Sequence, residues 1–177
     1  MSANEDLTAI HLDRAAVWND LVLAAHLLQV ALERQSQRDG SIPHGHLKLL
    51  VLLSTAERRT LGLKSLAETL RFSPSRVSHA ITALARQGLV TRGRVPEGRR
   101  AYEATLTSQG QLLAARVLRA QRTDVRDVLL DSLEPSDAAA LGKISSLVVE
   151  ILERTEARQL SLECSHSDAL PVERERG

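Results

Sequence analysis

The chain has 177 residues, 43% of them hydrophobic and 25% charged, with a net charge of +1. That is enough apolar material for a core, which excludes wholesale disorder, and the length suits one domain with or without tails. Aromatic residues make up only 2% and there is one cysteine, Cys164, so the core must be aliphatic and no internal disulfide can form.

Residues 1–9 are small, polar or acidic and are expected to be poorly ordered. A helix is predicted over about 12–35. Val17, Leu21, Ala24, Leu28 and Ala31 form one stripe, and Trp18, Val22 and Ala25 a second beside it. Between Leu21 and Leu32 only His26 and Gln29 are polar. Such a helix is buried on several sides, one of which a partner subunit could supply. Residues 36–41, with Gly40, read as a polar loop. Pro43 opens a short helix to about residue 56, with Leu47, Leu50, Val51 and Ser54 on one side. A very short strand at 60–63 and a helix over 64–71, with Leu66, Ala67 and Leu70 inward, come next.

Residues 73–86 carry the strongest local signals. Ser73 can cap a helix and Pro74 suits its first position. Val77, Ile81 and Leu84 share one face; Ser75, Arg76, Ser78, His79, Thr82 and Arg86 take the others, without an acid among them. Such a helix either enters a DNA major groove or is an ordinary helix with a solvated face. Gly88 is a natural C-cap. Strands are predicted at 89–95 and 99–106 around the turn Pro96-Glu97-Gly98. Two helices joined tightly and followed by two strands around a basic turn make a helix-turn-helix with a wing.

A long helix over about 108–132 follows, with Leu118, Val125, Leu129 and Leu133 on one face. Pro135 restarts the chain into a last helix to about residue 160, striped by Leu141, Ile144, Val148 and Ile151. The tail, 161–177, is polar, contains Pro171 and is expected to be disordered. No apolar run of membrane-spanning length and no signal-peptide pattern stands out, so a cytoplasmic setting without membrane is expected.

Charge divides unevenly. From Arg58 to Arg100 there are ten bases and two acids, Glu68 and Glu97, so this stretch carries +8 and the remainder −7. That is an electrostatic footprint confined to one module. Arg76, early in its helix, could reach guanine O6 and N7 with a fork of donors. Arg99 on a narrow turn suits the negative minor groove. Lys64, Ser65, Ser73, Arg86 and Arg92 suit phosphates, and His79 faces outward beside Arg76. No Ser-His-Asp set, paired carboxylates or phosphate loop suggests an enzyme. His44 and His46 lie close, with His26 a third candidate, but no Cys or acid stands with them at metal-ligand spacing.

The stretch from residue 63 to 110 resembles the MarR family of bacterial winged-helix transcription regulators. Leu66-Ala67 and Leu70 resemble its supporting helix, and Ser73-Pro74-Ser75-Arg76-Val77-Ser78 the start of its recognition helix. Gly88-Leu89-Val90-Thr91-Arg92 resembles the approach to its wing. Glu97-Gly98-Arg99-Arg100 resembles the acidic-x-Arg wing motif, with Glu97 where Asp is commoner. Leu106-Thr107-Ser108-Gln109-Gly110 resembles the exit into the long helix.

The resemblance implies a mainly α fold: a winged helix-turn-helix with a two-stranded β wing, plus long helices forming an all-α dimerisation region. The winged helix would span about 44–107 and the dimerisation helices about 10–35 and 108–160. It implies a homodimeric regulator, expected to be a repressor, on pseudo-palindromic double-stranded DNA, with Arg94, Arg99 and Arg100 contributed by the wing. Glu97 would hold an arginine, for which Arg94 is the candidate. A small-molecule effector pocket is also implied, for which Trp18, His26 and His46 are the candidate lining; no cofactor is expected. The alternatives are a metal-responsive regulator of the same fold and a winged-helix protein-interaction module. Cys164, placed in the tail, is not expected to act as a peroxide sensor.

Overall fold

In a computed structural model, residues 13–94 and 102–167 are described, with side chains through residue 158. The elements are α1 (Arg14–Gly40), α2 (His44–Thr55), β1 (Thr60–Gly62), α3 (Leu63–Leu70), α4 (Pro74–Arg86), β2 (Val90–Arg94), β3 (Tyr102–Leu106), α5 (Ser108–Gln121), a π-helical turn (Arg122–Asp127), α6 (Val128–Asp131) and α7 (Pro135–Ser167). Two compact units divide after Val128.

In the first unit α2, α3 and α4 enclose an aliphatic core. Ile42, Leu47, Leu49, Leu50, Leu53, Leu66, Val77, Ile81, Leu84 and Val117 are essentially inaccessible. No aromatic residue is among the buried core residues. The sheet is antiparallel in the order β1-β3-β2. Val90 pairs with Leu106 and Arg94 with Tyr102, while Thr60 pairs with Thr105. The short strand at residue 60 thus joins the predicted two-stranded wing as a third strand, tied by a 2.8 Å contact between the Thr60 and Thr105 hydroxyls.

Thr107 closes the wing onto α5. It caps the helix by accepting from the Gly110 N–H at 3.1 Å, and its hydroxyl lies within donating distance of the Gly88 and Leu89 carbonyls, at 2.7 and 3.0 Å. Its own N–H donates to Leu89 O. Gly110 faces Leu89, just before β2, so closely that a Cβ would stand 2.1 Å from the Leu89 carbonyl oxygen.

Several expectations are corrected. Residues 36–40 are helical, not loop. Gln35 Nε2 donates to Val117 O at 3.1 Å and the Ser36 hydroxyl to Ile42 O at 2.9 Å. These bonds bury polar side chains that look solvent-seeking in sequence, and the helix stops only at Ser41, which is left-handed with φ 52°. Arg38 adds ion pairs to Asp39 and Asp124, fastening the end of α1 to the π-turn.

In α5 the inward residues are Gly110, Ala114 and Val117, not the predicted face: Leu118 and Leu129 are exposed, while Val125 and Leu133 are half-buried. Residues 161–167, assigned to the tail, continue α7. The stripe of α7 is exposed at Leu141, Ile144 and Ile151 and half-buried at Val148.

The first half of α1 is not buried. Val17, Trp18, Leu21, Val22, Leu27 and Leu28 are exposed in the single chain. Contrary to the expectation that no run is long enough, α1 is long and apolar enough to cross a membrane by length and composition. The leucines, valines and alanines between Leu21 and Leu32, broken only by His26 and Gln29, make it so.

Candidate nucleic-acid interface

The turn between α3 and α4 is built from local chemistry. Arg71 adopts left-handed φ 53°, its N–H reaching Ala67 O and Glu68 O, and ends α3. Ser73 then accepts from the Arg76 N–H at 3.3 Å, and Pro74 occupies the first helical position, where its missing donor costs nothing. Val77, Ile81 and Leu84 are buried as predicted, with Ala80 beside them. Gly88, at φ +71°, reverses the chain after α4, a conformation other residues adopt at a cost.

The opposite side of α4 presents Ser75, Arg76, His79 and Arg86 to solvent, while Ser78 and Thr82 are half-buried. Two arginines lie on aromatic rings. The Arg76 guanidinium sits 3.8 Å over Phe72, and that of Arg92 sits 4.2 Å over Tyr102. Arg94 lies 5.9 Å from the same tyrosine. Arg92 also donates to the Thr82 hydroxyl at 3.4 Å, which donates to Ser78 O at 2.8 Å. Thr82 and Arg92 therefore tie α4 to the strand beside it, and the structure brings the α4 residues and Arg92 onto one contiguous surface.

Lys64 and Ser65 are exposed in the first turn of α3, with Lys64 paired to Glu68 at 3.7 Å. Ser73 is exposed, its hydroxyl engaged in the cap. Glu97, Arg99 and Arg100 lie outside the described residues, and with them the suggested partnership of Arg94 with Glu97.

The three residues suggested for an effector pocket are placed differently. Trp18 and His26 stand exposed on α1, whereas His46 is half-buried. His46 lines a cleft of about 420 Å³ with Glu33, Phe72, Arg76 and His79. A second cleft, about 380 Å³, is lined by His44, Lys48, Val51, Leu52, Leu118 and Gln121, among others. The Nδ1 atoms of His44 and His46 and Oε1 of Gln121 are buried without a hydrogen-bond partner. Burial pushes both histidines below the usual imidazole range, helped by Lys48 at His44 and Arg76 at His46, and opposed at each by Glu33.

Sequence reasoning missed the two aromatic platforms. The signal available was scarcity: Phe72 and Tyr102 are the only Phe and Tyr in the chain, and Phe72 stands four residues before Arg76.

A supporting helix, a capped second helix with a basic outer face and a β-hairpin bonded to that helix define a winged helix-turn-helix protein. Sequence comparison matches residues 42–102 to the MarR family. Sco3205 of Streptomyces coelicolor, a MarR family transcriptional regulator solved in complex with DNA, is 35% identical, covering 80% of this chain and 92% of that one at a TM-score of 0.72. AbsC, a MarR family transcriptional regulator of the same organism, is 28% identical, covering 78% of this chain and 93% of that one at 0.65. Sco5413, also from that organism, shares the fold at 20% identity, covering 80% and 97% at 0.67. No curated protein sequence matches. The chain belongs to the MarR family.

Proposed function

We propose that the protein is a sequence-specific repressor that binds double-stranded DNA as a homodimer on a pseudo-palindromic operator and is released by a small molecule. The observation that carries this reading is the outer face of α4: exposed, free of acid, and continuous with the arginines of β2. Sco3205, 35% identical to this chain, is solved in complex with DNA, which supports DNA as the partner. Arg76 would read base edges, Arg99 the minor groove, and Lys64, Ser65, Ser73, Arg86 and Arg92 would contact phosphates. Ser75, Ser78, His79, Thr82, Arg94 and Arg100 complete the surface.

Dimerisation is supported by the apolar half of α1, which a second copy would cover. Two recognition helices about 34 Å apart match one helical turn of DNA. Release is supported by the cleft beside His44 and Gln121, whose lining by Leu47, Val51, Leu52, Leu70 and Leu118 would suit a mostly apolar ligand.

A mobility shift with the upstream region of its own gene tests the central claim. Affinity should fall linearly, on logarithmic axes, with salt, and Arg99→Ala should weaken binding severely while the dimer persists. Binding that ignores salt would exclude the phosphate contacts.

A further inference from the structure

We infer that Phe72 is a positioning residue for base readout: together with Gly45 it forms a slot that holds the Arg76 guanidinium in one place on the outer face of α4. The inference rests on the reading of Arg76 as the base-contacting residue.

The only phenylalanine of the chain lies outside the core. A phenylalanine ordinarily contributes its large apolar area to a core, yet the buried core here is aliphatic throughout and Phe72 is half-buried at the turn before α4. It packs against that core. Its ring also lies beneath Arg76, with 3.8 Å from guanidinium carbon to ring centroid, well inside the range of a cation–π contact.

The second wall is Gly45, in the first turn of α2. A Cβ there would stand 3.2 Å from Arg76 Nη2 and 3.7 Å from Phe72 Cζ. Glycine is a poor helix residue, and here its bare backbone leaves the guanidinium its space.

Stacking suits the task. It engages the flat face of the guanidinium and leaves the N–H donors free at its edge. Among the described residues, no hydrogen bond or ion pair takes those donors. Bidentate contact with guanine needs two of them presented together. A long, flexible side chain held in advance loses less freedom when it binds. Arg92 on Tyr102 shows the same device one element away, but there Thr82 accepts a donor, so that arginine is fastened rather than presented.

The test uses the full-length protein and a duplex selected by the wild type from a random library, against a scrambled duplex of equal length. Phe72→Leu should lower the ratio of the two affinities about tenfold, in the range expected for a cation–π contact. Binding to the scrambled duplex and its salt dependence should stay unchanged. Phe72→Trp should restore the ratio, since an indole offers a better face for a cation. Gly45→Leu, which fills the slot from α2, should lower the ratio with Phe72 intact, so the inference stays testable if Phe72→Leu folds poorly. In the Arg76→Ala background, Phe72→Leu should cost nothing further.

Two failures are distinguishable. If Arg76→Ala keeps full discrimination, the base-reading assignment falls and the slot with it. If Arg76→Ala loses discrimination while Phe72→Leu and Gly45→Leu keep it, the slot alone is refuted. A loss from Phe72→Leu that Phe72→Trp does not restore, or that persists without Arg76, also overturns it.

Discussion

Thr107 is one side chain on which three elements converge, and Thr107→Val isolates what its hydroxyl does. Valine keeps the shape but neither accepts from Gly110 nor donates to the carbonyls of Gly88 and Leu89. Loss of an N-cap acceptor costs about 1 kcal/mol. The lost donor adds about 0.5–1 kcal/mol, the lower end of the usual range because water can reach the exposed Gly88. The total, about 1.5–2 kcal/mol, corresponds to a fall in Tm of roughly 3–8 °C for a chain of this size.

Urea unfolding followed by far-UV circular dichroism, at one fixed protein concentration, measures it without confusion from mass action. Thr107→Ser retains the hydroxyl and should recover most of the loss. A midpoint unchanged by valine, or a serine variant that falls as far as valine, would show that the Thr107 hydroxyl does not hold these elements together.

Gly110→Ala should destabilise by at least about 2 kcal/mol through overpacking, although alanine is the better helix former; its Cβ would meet Leu89 O, and a stabilised variant in the same titration would contradict the close approach. The two histidines give a pH dependence with a definite sign. Both bind protons less well folded than unfolded. Their contribution is therefore complete above about pH 6.5, the unfolded value, and declines as pH falls from there through the depressed folded values. His44→Gln with His46→Gln should flatten that slope of urea midpoint against pH; an unchanged slope would place its origin elsewhere. Finally, Leu21→Glu with Leu28→Glu should yield a monomer in sedimentation velocity, and an unchanged mass would show that α1 is not the dimer face.

The helix at 74–86 was legible because its signals are local: a serine cap, a proline at the first turn, apolar residues three and four apart, and a glycine where the chain reverses. The end of α1 was not legible. Gln35 and Ser36 are helical because of partners at Val117 and Ile42, and Val117 is 82 residues from Gln35. The inward face of α5 was missed for a related reason: small residues, Gly110 and Ala114, make the close contact, while the bulkier leucines that dominate a periodicity count face away. Of the candidate interface, Ser75, Arg76, His79 and Arg86 could be read from spacing as facing outward on α4, whereas Ser78 and Thr82, grouped with them, are half-buried. That Arg92 is fastened to Thr82 and Tyr102 could not be read that way, because it depends on the register of β2 against β3.

An interior without rings has a spectroscopic consequence. Near-ultraviolet circular dichroism responds to aromatic side chains in fixed asymmetric surroundings, and here none of them occupies the core. A feeble near-ultraviolet spectrum from this protein would say nothing about loose packing, although it is commonly taken as a mark of a molten state. What signal there is would come from Phe72 and Tyr102 beneath their arginines and from Trp18 on the exposed half of α1, so the same spectrum becomes a reporter of those two surfaces rather than of the interior.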